Sequence, residues 1–98
     1  MASYTGVTAI HKTLAASTVD TVTLTGCTTQ VTIVNRNGVA EIYFTVGATT
    51  PPVPTVGGVN TYVIPADVSS YTVPFAGSST VVVSLISGGI PTYSVEAE

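Results

Sequence analysis

The sequence predicts an all-β protein: an antiparallel two-sheet β-sandwich of jelly-roll or immunoglobulin-like kind, with about seven or eight strands and an extended N-terminal arm. Three observations lead there. Thr and Val supply eighteen and seventeen of the 98 residues. Both are β-branched, so they lose rotamer freedom in a helix and fit a pleated surface. Apolar residues recur with period two in short runs, and no run keeps the i, i+3, i+4, i+7 spacing of an amphipathic helix without a Gly, a Pro or a Thr cluster interrupting it. Turn residues separate these runs about every 8–12 positions, the spacing of a sandwich or barrel.

Residues 1–17 alternate poorly and read as an arm, with a possible extra strand around Tyr4–Ile10; residues 18–98 are the sandwich domain. His11–Ala16 is the one stretch that could make a helical turn, and an extended arm or first strand suits it better. Val19–Thr25 is a strand with Val22 and Leu24 on one face. Gln30–Asn35 follows, with Val31 and Ile33 inward. Asn35-Arg36-Asn37-Gly38 reads as a type I′ hairpin turn, because Asn-Gly tolerates positive φ at both central positions. Val39–Val46 is the best strand, with Ile42, Phe44 and Val46 on its core face. The stretch 47–58 holds three prolines and three glycines and is the longest loop. Tyr62–Ile64 is a short strand stopped by Pro65. Ser69–Phe75 contains Pro74, which cannot donate to a ladder, so it belongs at a sheet edge or a bulge. Ala76–Ser79 turns the chain. Thr80–Ile86 is apolar on both faces and belongs at the centre of a sheet, and Pro91–Val95 is the last strand.

Composition excludes several functions. Charged residues make up 7% of the chain and the net charge is −3, against about 25% charged in an average domain. Two cations, Lys12 and Arg36, cannot cover a phosphate backbone, so no nucleic acid is expected as a partner. No apolar run approaches the roughly 20 residues of a membrane helix, so no membrane is expected either. Met1–Thr5 lacks the basic flank and apolar stretch of a signal peptide. One Cys and one His are too few for a metal site, and no cofactor is expected.

Catalysis finds no purchase. The acids Asp20, Glu41, Asp67, Glu96 and Glu98 show no pairing in their spacing and read as solvated surface groups. No Gly-x-Ser-x-Gly stands beside His11 to build a triad. Cys27 has no cation close in sequence to lower its pKa and reads as a buried, inert thiol. The chain is therefore not expected to be an enzyme. Its apolar surplus is the informative feature. Several strands look apolar on both faces, and so small a sandwich should leave some of that surface for another subunit or a partner. The residues expected at such an interface are Tyr4, His11 and Lys12, by their place in the arm; Arg36, at a turn tip and able to fork onto a carboxylate; and Tyr43, an aromatic with a polar tip.

The run Thr18–Leu24, the stretch Val34-Asn35-Arg36-Asn37-Gly38-Val39-Ala40-Glu41-Ile42-Tyr43-Phe44-Thr45-Val46, then Pro54–Gly58, Thr61–Ala66, Val82–Ser87 and Tyr93–Val95 resemble the small β-sandwich virion proteins of tailed bacteriophages infecting actinobacteria, many of them head decoration proteins. The resemblance covers most of the chain after residue 17 and carries no catalytic motif. It implies a non-enzymatic protein that binds the outside of a phage head, with the major capsid protein as partner, as a homo-oligomer with the trimer favoured. It also implies synthesis in the bacterial cytoplasm and residence on the capsid exterior, with the arm touching the shell or a sister subunit. A tail or head–tail component, or a carbohydrate- or surface-binding module with Tyr43, Tyr62 or Tyr71 on one sheet face, is the alternative expectation.

Overall fold

The computed structural model describes residues 2–75 and 79–98, and among these there is no helix. Nine strands follow one another: β1 (Ala2–Val7), β2 (Ala9–Thr13), β3 (Asp20–Thr25), β4 (Gln30–Asn35), β5 (Ile42–Gly47), β6 (Tyr62–Ile64), β7 (Ser69–Pro74), β8 (Thr80–Ile86) and β9 (Thr92–Ala97). They form a five-stranded sheet in the order β1-β3-β8-β5-β6 and a four-stranded sheet in the order β2-β9-β4-β7. Every pairing is antiparallel except β1 on β3, which is parallel.

The pairs are nested. β5 pairs with β6, β4 with β7, β3 with β8 and β2 with β9. This is one long hairpin rolled up so that successive layers fall in opposite sheets, and β4·β9 and β5·β8 close the roll. Of the two sandwich kinds open from the sequence, this order is the jelly roll.

The period-two pattern sets the core. Val22 and Leu24 of β3, Ile42 and Phe44 of β5, and Val81, Val83 and Leu85 of β8 face Val31 and Ile33 of β4 and Tyr93 and Val95 of β9, all fully buried. β8 is central in its sheet and β7 is an edge strand, with Pro74 opposite Gln30. Both placements match the sequence reading. The turn expected at Ala76–Ser79 lies outside the described residues apart from Ser79.

Three expectations need correction. The first seventeen residues do not form an extended arm. β1 lies along β3 in one sheet and β2 along β9 in the other, with the switch at Thr8, whose carbonyl accepts from the Ala97 amide at 2.9 Å. Tyr4, Val7 and Ile10 pack against the core, and Leu14 is a full core member whose amide donates to Pro91 O. One inward residue every second or third position is enough to hold an edge strand when its backbone finds a partner. That partner is far away in sequence, so local alternation gave little sign of it.

Asn35–Gly38 is not a hairpin turn. β4 and β5 lie in different sheets, so the chain crosses over between them. Asn35 is fully buried. Its Nδ2 donates to Ala40 O (2.9 Å) and Pro65 O (3.0 Å), and its Oδ1 accepts from the Gly38 amide (3.0 Å). Only Gly38 has positive φ there, and a Cβ on it would sit 2.7 Å from Asp67 Cα. The strand after this crossover begins at Ile42, not Val39.

The outward face of β8 is covered by the chain itself. Val82, Ser84 and Ile86 are buried although they point away from the core. The proline-rich segment between β5 and β6 lies over this face. Thr45 Oγ1 donates to Pro52 O at 2.6 Å, and Pro51 and Val53 form one wall of a groove above Val82 and Ser84. Part of the apolar surplus is therefore used within one chain.

Candidate functional site

The five residues expected at an interface do not form one cluster. Tyr4, on β1, is half-buried with its ring turned to the core, and the Lys12 ammonium from β2 stands 5.1 Å from the ring centroid. These two close one lateral edge of the sandwich, where a cation over an aromatic face is stabilising. His11 points to the other side of β2, onto the outer face of the four-stranded sheet, where Nδ1 lies 2.6 Å from Ser94 Oγ in a hydrogen bond. Arg36 is exposed in the β4–β5 crossover, its amide tied to Thr92 O at 2.9 Å. Tyr43 lies on the outer face of the five-stranded sheet, separated from β1 by β3 and β8. Its hydroxyl donates to Glu41 Oε1 at 2.9 Å, and that hydrogen bond, with burial and the carboxylate's charge, raises the phenol pKa.

Asp20 is not a surface acid. It is 4% exposed, and Tyr93 Oη donates to its Oδ2 at 2.9 Å across the two sheets. Burial first, then the bond to Asp20, drives the Tyr93 pKa far above the ordinary phenol range. This buried pair was not foreseen. The only signal was an acid at the head of a strand whose next two even positions, Val22 and Leu24, are core. Period two places Asp20 on the same face.

Other chemistry-bearing groups are dispersed. Cys27 is buried, its thiol 3.5 Å from the carbonyls of Gln30 and Phe75. Among the described residues no group of three His, Cys, Asp or Glu side chains is placed to hold a metal ion. The groove over β3 and β8, about 320 Å³, is walled by Thr21, Thr23, Val82 and Ser84 below and Pro51 and Val53 above, and no titratable side chain lines it.

The tyrosines named as a possible glycan platform are split. Tyr62 and Tyr71 meet Phe44 at the lateral edge formed by β6 and β7, with centroids 5.3 and 5.4 Å from Phe44 and 5.3 Å from each other. Tyr43 faces away from them on the far side of β5. Tyr62 and Tyr71 are partly exposed at that edge, and the rest of the exposed apolar surface among the described residues is aliphatic. Val39, Val53, Val56, Val59, Val63, Val68 and Ile90 are exposed, all within the span from the β4–β5 crossover to the β8–β9 turn.

No protein-family model, no curated protein and no solved structure matches the chain.

Proposed function

We propose that this chain is a structural, non-enzymatic subunit of a larger assembly, and specifically a decoration protein that binds the outer surface of a bacteriophage head and cements neighbouring shell subunits. The observation that carries the reading is the surface. Among the described residues a charge-poor jelly roll leaves seven aliphatic side chains exposed, after covering part of one sheet face with its own loop, while no three of its acids, His11 and Cys27 come together. Scattered polar groups in that arrangement suit burial against a partner better than catalysis. The sequence resemblance supplies the kind of assembly.

Cementing by such a protein works through repetition. Each contact removes apolar area from water at about 25 cal/mol per Å². Many copies on one shell turn a modest single-site affinity into a large total.

The test is a copy count. Particles washed in high salt are analysed by quantitative mass spectrometry against the major shell protein. A copy number comparable with the shell subunit is expected. A few copies per particle would move the protein to the tail, and complete absence would sink the virion reading.

A further inference from the structure

Four loops meet at one end of the sandwich. Asn35 ties the β4–β5 crossover to the β6–β7 connection through Pro65 O. A Cβ on Gly38 would touch Asp67 and Val68, and one on Gly89 would lie 2.7 Å from Ala40 Cβ, so the crossover also packs on both the β6–β7 and β8–β9 connections. Val56, from the loop over the outer sheet face, reaches to within 3.8 Å of a Cβ placed on Gly88. Where they meet, these four loops present aliphatic side chains to solvent: Val39 (61% exposed), Val56 (48%), Val68 (71%) and Ile90 (61%), while Val53 and Val59 are exposed elsewhere along the β5–β6 loop. Three of the loops are tied to one another by hydrogen bonds of Asn35 and of Ser87, whose Oγ donates to Glu41 O at 2.6 Å.

Charge says what fits this loop end. It carries the cation Arg36 and the carboxylate Asp67, in two loops that touch, both exposed. Among the described residues neither side chain makes an ion pair or hydrogen bond within the chain. Glu41, the other acid nearby, is engaged by the Tyr43 hydroxyl. A surface with apolar tips and one unused charge of each sign is complementary to itself. Symmetric oligomers are built on such self-complementary patches. A stable contact needs about 800 Å² per partner, roughly a sixth of the 4705 Å² this chain exposes.

We infer that this loop end is the face on which copies of the chain associate, with Val39, Val56, Val68 and Ile90 at its centre and Arg36 of one copy forking onto Asp67 of the next. It goes beyond the assembly reading by naming the face and the partner, and it stands whether or not the assembly is a virion.

The test is sedimentation of the full-length chain at micromolar to submillimolar concentration. Wild type should sediment as a multiple of 9.9 kDa. Val68→Asp and Ile90→Asp, at exposed positions that leave the core intact, should sediment as monomers with unchanged circular dichroism. Arg36→Glu should shift the equilibrium toward monomer by tenfold or more, and Arg36→Glu combined with Asp67→Arg should restore it. A monomeric wild type overturns the inference, as do aspartate variants that keep the wild-type mass. A double swap that fails to restore association overturns the Arg36–Asp67 pairing. A monomer that still coats particles at high copy number overturns this inference and leaves the decoration reading standing, whereas an oligomer absent from particles does the reverse.

Discussion

The sandwich has two lateral edges, and each is made by two consecutive strands that pass from the five-stranded to the four-stranded sheet. At one edge these are β1 and β2; at the other, β6 and β7. The first is closed by polar chemistry. Lys12 lies over Tyr4, and Asp20 on the neighbouring strand is buried against Tyr93. The second is closed by three clustered rings, with Tyr62 stacked on Phe44 and Tyr71 edge-on to it, and no ionisable partner among them beyond the phenols. The difference lies in how each edge tolerates loss. An aromatic edge loses packing in proportion to the area removed. A polar edge over a buried carboxylate is held by few contacts, and each of them matters because an unmatched buried charge is costly.

The largest effect should come from deleting residues 1–17. This removes β1, β2 and the buried Leu14, and uncovers one edge of β3 and of β9. The truncated chain should lose its cooperative thermal transition. A truncated protein that melts cooperatively near the wild-type temperature would show that the segment is an appendage after all, as a free arm would be.

A smaller effect is expected from Tyr93→Phe, which strips Asp20 of its donor and should cost about 1–3 kcal/mol. The same pair sets an alkaline limit. The native state holds the Tyr93 proton far above the ordinary phenol pKa, so the stability it contributes is complete below pH ~10, the unfolded phenol value, and falls as pH rises beyond it. Urea melts from pH 8 to 11 should show this fall in wild type, and a shallower one in Tyr93→Phe. Identical pH slopes would remove Tyr93 as the responsible group.

The smallest effects should separate the two edges directly. Tyr62→Leu gives up ring–ring geometry worth about 0.5–1.5 kcal/mol beyond area. Lys12→Met gives up an exposed cation–ring contact worth about 0.5–1 kcal/mol. The Lys12 loss should shrink at high salt and the Tyr62 loss should not. Equal salt responses would erase the proposed distinction between a polar and an aromatic edge.

Much of this was legible in the chain before folding. The inward positions Val22, Leu24, Val31, Ile33, Ile42, Phe44, Val81, Val83 and Leu85 follow from alternation, and so does the all-β class. The two-sided apolar run of Thr80–Ile86 marked the central strand, and Pro74 marked an edge. The interface residues were less legible. Tyr4 and Lys12 do meet, but at the edge of their own sandwich, whereas His11, Arg36 and Tyr43 lie on separate surfaces. The exposed tips Val39, Val68 and Ile90 were hidden, because a valine in a loop looks in sequence like a valine in a strand.

What the sequence determined by itself is which residues point inward, because side-chain alternation is a property of the extended backbone and needs only neighbours in the chain. What the tertiary structure decided is which sheet each strand joins. Alternation cannot tell a strand paired beside its neighbour from one facing it across the core. That choice sent Asn35–Gly38 across the sandwich instead of into a hairpin. It also gave residues 2–13 two distant partners, and it placed Asp20 under Tyr93, because ladder hydrogen bonds and buried polar pairs are made between residues that local sequence does not bring together.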